Sequence, residues 1–473
     1  MKHCLLILFF LVLGKQVLFC QEWLGIINSN YGGNVSLQLN PASVVGSPYT
    51  QEINLIAADF SLHNNYIYYP AQSSALGKII KGKVSQKNTL DLYTNSPNKQ
   101  AYYNLFLKGP GVMFSNNASG FAVNIGYRQI LSARNVNTHI AKFMLEGFDY
   151  QPQHNINYKT QPYKLNFVSL YDFAFTYGRG IVGNERHTLS AGITMSVYAG
   201  NSAFFIDNKN MDYIVPVSQL LIVNNTNIRY GYAFTGEKPG AKDFMKVRGW
   251  GLGSNVGMTY IDNRNDKAYK KTSQPRKKYN FKIGVSIIDM GFINFKKQTK
   301  QFSFENASTF WPGIDTTKFS YMNYNDSLLN NKFTGSSEGG LVSKKFAMHM
   351  PAAFSLQVDF AVSPEVYINF SAIQHFQIAE LQVQRNDQLS ITPRYEKQNW
   401  EVALPYSFYN YYQHRIGLAW RYRWFFIGTD RLGPLTGLWD LNGIDFYFGV
   451  KLISQKQRKV NARSTDCFMF NKF

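Results

Sequence analysis

The chain has 473 residues, of which 16% are aromatic and 16% charged, and 49 Lys and Arg against 29 Asp and Glu give a net charge of +20. Soluble domains carry about a quarter charged residues, so this composition argues against a string of ordinary soluble domains. A mean hydropathy of -0.25 does not exclude a membrane barrel, because alternating strands dilute hydropathy.

In chain order, Met1 to Gln21 reads as a secretory signal: Lys2, the apolar run Leu5 to Leu13, then a short polar stretch. The run is too short to span a bilayer as a helix. Cleavage is expected after Cys20, making 1–20 the signal peptide; the competing reading is a lipoprotein acylated on Cys20, against which bulky Phe19 argues. Cleavage would leave Cys467 as the mature cysteine, with no intrachain disulfide and no cysteine-based metal site. No later segment is long and apolar enough for a membrane helix, so any spanning falls to strands.

Residues 21–50 form a lead segment containing Asn40-Pro41-Ala42, where Asn-Pro favours a turn and Pro41 cannot donate to a strand ladder. This element resembles the Asn-Pro-Ala of long-chain fatty acid transporter barrels, a likeness that implies a periplasmic or plug-like role. Strands are expected from Gln51. Ile56, Ala58, Phe60 and Leu62 oppose Ala57, Asp59, Ser61 and His63, and a long polar loop to about Gln100 follows. Val112 to Ser115 and Phe121 to Arg128 flank a short Asn116 to Gly120 turn. Phe173, Phe175 and Tyr177 alternate with Asp172, Ala174 and Thr176.

The clearest alternation is His187 to Ala199. Leu189, Ala191, Ile193, Met195 and Val197 make an apolar row, and Thr188, Ser190, Gly192, Thr194 and Ser196 a small polar one. Further on, Val256, Met258 and Tyr260 oppose Asn255, Gly257 and Thr259. Tyr279, Phe281, Ile283, Val285 and Ile287 oppose Asn280, Lys282, Gly284 and Ser286. Phe354 to Phe360 alternates with Ala353 to Asp359, and Ser363-Pro364 turns into Val366 to Phe376. Ile416 to Tyr422 opposes Arg415 to Arg421, and Phe446 to Leu452 opposes Asp445 to Lys451. Residues 454–473 form a basic C-terminal tail.

A sandwich would show the same alternation with its apolar face in a core. Two regularities favour an all-β fold of one transmembrane antiparallel barrel over residues 51–453. Short turns alternate with long loops, and the non-apolar face is mostly small, as suits a narrow lumen. The count is roughly 14 strands, even if both termini lie in the periplasm.

Four stretches carry a family resemblance: Gly109-Pro110-Gly111 with the hairpin ending at Arg128; Gly249-Trp250-Gly251-Leu252-Gly253 running to Tyr260; Gly284 to Gly291; and Pro393-Arg394-Tyr395-Glu396 with Leu404-Pro405. Gly428-Thr429-Asp430 and Asp445 to Lys451 continue it. Together they resemble a Bacteroidota-type outer-membrane family, domain of unknown function 5723. Gly111 and Asn255 stand where that family leads one to expect Ser and Asp. The resemblance implies location and architecture, with fold-level likeness to fatty acid transporters and to barrel partners of type IX secretion.

Asp59, Arg128, Asp172, Lys282, Asp359, Arg415, Arg421, Asp445 and Lys451 fall on the lumen face of these strands. Charges in a low-dielectric lumen need partners, so they read as an ion-pair lattice bracing the barrel, or as a path for anionic solutes. Asp289-Met290-Gly291 interrupts its strand and reads as a bulge. Arg394 and Glu396, two apart on one face, read as a rim ion pair. His63, His187 and His375 belong to no nucleophile motif, no ligand spacing suggests a metal, and no glycine loop cradles phosphate, so neither an enzyme nor a cofactor is expected.

The positive balance, much of it in lysines such as Lys78, Lys81, Lys270, Lys271 and Lys296, suits solvated loops facing phosphate-bearing outer-membrane lipid and lipopolysaccharide. An exported chain is not expected to meet nucleic acid. The expected role is a structural or assembly barrel anchoring an envelope or secretion-machinery partner. The alternative is a passive or gated channel for small anionic or amphiphilic solutes.

Overall fold

A strand with one greasy and one small polar row has two incompatible faces, and here they lie on opposite sides of a closed wall. The computed structural model describes residues 23–71, 91–93, 97–183, 186–235, 241–262, 279–317 and 322–454. The expected signal, the C-terminal tail and several of the loop lysines lie outside these residues.

The wall is a 14-strand antiparallel barrel. Its strands in order are Gln51–Asn64, Asn98–Ser115, Ser119–Asn137, Tyr163–Gly183, His187–Val217, Gly249–Asp262 and Phe281–Phe295. The eighth is Phe346–His349 continued by Ala353–Ala361, followed by Val366–His375 and Gln388–Glu396. Two broken strands come next, Trp400–Ala403 with Tyr406–Tyr409 and Gln413–Ile416 with Leu418–Tyr422, and then Phe425–Thr429 and Gly443–Ser454. Pro405, which has no N–H to give a ladder, sits in the first of these breaks. The last strand pairs with the first, Phe60 opposite Phe446, so the sheet has no free edge.

The outer face is apolar and exposed. Phe121, Val123, Ile125, Phe173, Phe175, Ile193, Met195 and Val197 all point away from the lumen, Met195 at 62% exposure. Their neighbours Ala122, Asn124, Thr176, Ser190, Thr194 and Ser196 are buried. Large apolar side chains facing outward all round a closed sheet make this a membrane-spanning barrel. No described helix is long and apolar enough to cross a membrane.

One phase assigned from the sequence is wrong. Tyr279 was expected outward with Phe281, but it is buried and its hydroxyl donates to Asp359 inside the lumen. The strand begins at Phe281, so the period-two pattern does not extend back to Tyr279.

The two rims differ. Turns at 116–118, 363–365, 397–399 and 423–424 share one rim with both ends of the described barrel. The opposite rim carries an excursion built of strands and helices. His187–Val217 is 31 residues long, roughly 100 Å of extended chain and several times the ~25 Å apolar band. Its first part, to Gly200, pairs within the wall with Gly249–Asp262. Beyond the rim, Ala203 to Val217 pairs with Leu220–Ala233, which pairs in turn with Thr299–Pro312. Helices cover this extramembrane sheet: Thr138–Glu146 brings Phe143 onto Tyr213, Val215 and Val223, and Met322–Thr334 brings Leu329 and Phe333 onto Tyr230, Tyr232, Phe302 and Phe304.

Met322–Thr334 is pinned by Asp326, which accepts from Tyr230 (3.2 Å) and Tyr232 and pairs with Lys300 at 3.5 Å. Burial raises the Asp326 carboxyl above the usual carboxylate range, against the opposing pull of Tyr232, Lys300 and Tyr230. A carboxyl whose folded pKa is raised favours folding in its protonated form. Its contribution is complete below the unfolded pKa and is lost as pH rises through the folded value. Hydrogen-exchange protection factors of this helix should therefore be highest below the unfolded carboxyl value of about 3.9 and decline as pH rises through the raised folded value, and Asp326→Asn should remove the decline. On the wall, Met195→Arg places a charge against hydrocarbon and should destabilise the barrel by about 2–4 kcal/mol in urea titrations in lipid vesicles.

Candidate functional site

The small polar face of the wall leaves room for chain inside. Residues 23–50 fill that room from the short-turn rim, and most of them are buried. Asn40 accepts a hydrogen bond from the Ala42 N–H at 3.0 Å, with Pro41 opening the short 3-10 turn Pro41–Val44. The Asn40 amide also donates to the Met258 carbonyl and to Gln357, both at 3.1 Å. This turn lies directly on the wall: a Cβ at Gly192 would fall 2.6 Å from the Pro41 carbonyl carbon. The Gly in the small row of His187–Val217 is thus the seat of the Asn40-Pro41-Ala42 turn.

Elsewhere the segment supplies partners to wall charges. Lys451 donates to the Tyr31 carbonyl (2.8 Å) and pairs with Glu52 (3.3 Å), which accepts from the Asn34 N–H (3.0 Å). Lys108 donates to the Asn34 carbonyl at 2.6 Å. The Asn30 amide donates to Glu396 at 2.8 Å, and the Ser29 hydroxyl to Glu401 at 2.7 Å. Trp23 stacks on Tyr447 at 6.3 Å, and the Leu24 N–H donates to Asp430 at 3.2 Å.

Some lumen charges form ion pairs, and others meet neutral groups. Arg394 grips Asp359 with both terminal nitrogens, at 2.8 and 2.6 Å, and Arg421 holds Glu401 at 3.0 Å. Arg128 makes a two-pronged contact with Asp289, at 2.7 and 2.9 Å. Asp59 accepts from the Asn104 amide (2.8 Å), and Asp445 from the Asp430 N–H (2.6 Å). Arg415 bonds Gln413 at 3.0 Å and lies over the Tyr409 ring, while Lys282 lies over Tyr279. Asp172 lines the same cavity as Arg128 and Lys108.

Arg394 and Glu396 meet at 3.7 Å beside the 397–399 turn, their side chains turned into the lumen, where the closer partner of Arg394 is Asp359. Asp289, with φ of 54°, sits at a break in register between Ser254 and Val256 of the facing strand, well inside the wall. The bulge swings its carboxylate into the lumen, and Gly291 beside it lets Tyr198 pass close to the backbone.

The other rim sends a second segment into the bore. The chain between Val366–His375 and Gln388–Glu396 turns inward, burying Gln382, Val383, Gln384, Arg385, Asn386 and Asp387. It pairs with His349 through two backbone bonds, from the His349 N–H to the Leu381 carbonyl and from the Val383 N–H to the His349 carbonyl. The Gln382 carbonyl accepts from Asn166 at 3.0 Å, and the Gln384 N–H donates to Ser132 at 3.3 Å. Arg385 reaches Asp289 at 3.2 Å. Between the two inserted segments lies a cavity of about 80 Å³, with Trp23, Leu37 and Gln38 on one side and Pro351 and Arg385 on the other.

The sequence reading missed Glu52, Glu401, Arg385 and Asp430. Glu52 and Glu401 stand at inward positions of strands, which alternation alone could have found. Arg385 and Asp430 lie outside strands, where no periodicity marks them. His187 faces Asp262 at 3.5 Å and the Tyr260 hydroxyl, and His63 faces Arg431 and the Tyr409 ring. Among the described residues no group of three His, Cys, Asp or Glu is placed to hold a metal ion.

Removing one member of the fully buried Arg394–Asp359 pair strands the other charge. Arg394→Met should lower barrel stability by about 3–5 kcal/mol in denaturant titrations, while Arg394→Met combined with Asp359→Leu should recover most of it.

Among solved structures, the toluene transporter TodX of P. putida shares 9% identity over 90% of this chain and 95% of its own, with a TM-score of 0.41. The monoaromatic hydrocarbon channel CymD shares 10% over 91% of this chain and 98% of its own, with a TM-score of 0.38. A Pseudomonas aeruginosa FadL homologue shares 10% over 92% and 97%, with a TM-score of 0.29. No curated protein matches. The family described as "Family of unknown function (DUF5723)" matches residues 41–430, and the chain belongs to that family.

Proposed function

We propose that this chain is an outer-membrane barrel that works as a structural or assembly anchor, shut to solutes at rest and offering its extramembrane sheet to an envelope partner. The observation that carries this reading is the fixation of residues 23–50 in the lumen through buried bonds to Glu52, Lys108, Glu396 and Lys451. A plug held by bonds to ions from several strands is costly to displace, since each buried ion left behind must find another partner. The short-turn rim then faces the periplasm, and the excursion built on His187–Val217 faces outward. That excursion has its own core and helices, more structure than a loop needs to join two strands.

A gated passage is the second reading, favoured by the cavity left between the two inserted segments. Planar-bilayer recording of the purified protein separates the two. The anchor reading expects a silent wild type, with conductance appearing in Gly192→Val, where the new side chain collides with the Pro41 backbone. It also expects a stoichiometric partner in cross-linked detergent extracts. Steady conductance of the wild type, with no such partner, would overturn it.

A further inference from the structure

Beyond the anchor reading, we propose that the inturned segment Phe376 to Asp387 is a lid latched by Arg385 on Asp289, and that the chamber beneath it takes a small polar solute without net charge.

The lid crosses the bore. It joins the ninth and tenth strands, yet its contacts are with Ser132 and Asn166 on the third and fourth, across the barrel. Its attachments are mostly polar: hydrogen bonds to those two strands, two backbone bonds to His349, the ion pair from Arg385 and a second, at the exposed end, between Glu380 and Arg229 at 2.9 Å, with Val383 packed among apolar side chains. The ion pair stands at the middle of the crossing. Asp289 reaches it only because the bulge holds a non-glycine residue at positive φ, a conformation that persists where its surroundings enforce it. Arg128 on the far side of Asp289 completes an Arg–Asp–Arg sandwich, so the carboxylate stays paired when Arg385 leaves. That is the arrangement a reversible latch needs: Arg385 parts from Asp289 without stranding the acid, and the segment's other ion pair, Glu380 with Arg229, lies where water can replace it.

The chamber has a size and a charge balance. One water needs about 10–15 Å³ by this measure, so about 80 Å³ holds roughly five to eight water-sized groups. A long acyl chain does not fit. The formal charges lining it are Lys108, Arg128 and Arg385 against Asp59, Asp172 and Asp289, which cancel. A solute carrying net charge would enter uncompensated, whereas a zwitterion or an uncharged polar molecule meets donors and acceptors of both signs. Thr176, Thr194 and Ser196 add hydroxyls on the wall. Two buried atoms of lining residues, Asp172 Oδ1 and Arg128 Nε, have no hydrogen-bond partner among the described residues.

The test uses the full chain in proteoliposomes, with Cys467→Ser and a reporter thiol from Ser196→Cys, labelled from outside by methyl methanethiosulfonate. Losing the one ion pair between Arg385 and Asp289 is expected to shift the opening equilibrium by about tenfold, so adding Arg385→Ala should speed labelling by roughly that factor and Arg385→Lys should return it toward the parent rate. Glycine should slow labelling of the Arg385→Ala chain, and toluene or acetate should not. If Arg385→Ala disturbs folding, seen as lost heat-modifiable mobility, a Ser132→Cys/Gln384→Cys disulfide replaces it. Locking the lid should then suppress labelling, and reduction should restore it. Equal rates with the lid latched, freed or locked would overturn the lid, and protection by toluene or acetate in place of glycine would overturn the solute class. Labelling reports access from outside, whereas conductance reports a path through both closures, so failure here and failure of the anchor reading remain distinguishable.

Discussion

Closure of the sheet, Gln51–Asn64 against Gly443–Ser454, is the constraint on which the rest of the molecule depends. In hydrocarbon every backbone N–H and C=O must find an internal partner, and a closed ladder provides that without an edge. Once the ring is shut, the outer row has no choice but lipid. The inner row, being small, encloses a space too wide for its own side chains to fill. Everything distinctive about the protein follows from how that space is filled.

It is filled with chain, and the chain and the wall supply each other's missing partners. Residues 23–50 form only short helical turns, Leu24–Ile27, Gly33–Gln38 and Pro41–Val44, so many of their backbone groups lack partners of their own. Wall charges take them up: Lys451 and Lys108 bond carbonyls of the segment, while Glu52 and Glu396 accept from its backbone N–H groups at Asn34 and Asn30. A barrel with an apolar lumen would have left those groups unsatisfied. A barrel with these charges and no inserted segment would have left the charges short of partners. The charged lumen and the plug are therefore one feature, and the same reasoning extends to the lid, whose Arg385 shares Asp289 with Arg128.

The extramembrane sheet shows the opposite strategy. There His187–Val217 leaves the membrane and, with further strands and two helices, builds a core of aromatic residues that closes without lipid. The transition happens within one strand. Up to Val197 the large side chains face out, whereas beyond the rim Phe205, Tyr213 and Val215 are buried.

What the sequence alone determined was the wall. Period-two alternation is a local property, set by which face of each residue meets an apolar medium, so the barrel, its even strand number and most inward positions are legible from residues a few places apart. Reading failed where that locality ended. Tyr279 precedes its strand, the His187–Val217 strand outruns the membrane, and Arg385 lies in a segment with no period at all. Tertiary structure decided which charges pair, because Lys451 meets Glu52 across nearly the whole chain and Arg394 chooses Asp359 over its near neighbour Glu396. It also decided that the lumen is occupied from both rims. Pairing and occupancy depend on distances that exist only after the ring has closed, and no spacing along the chain encodes them.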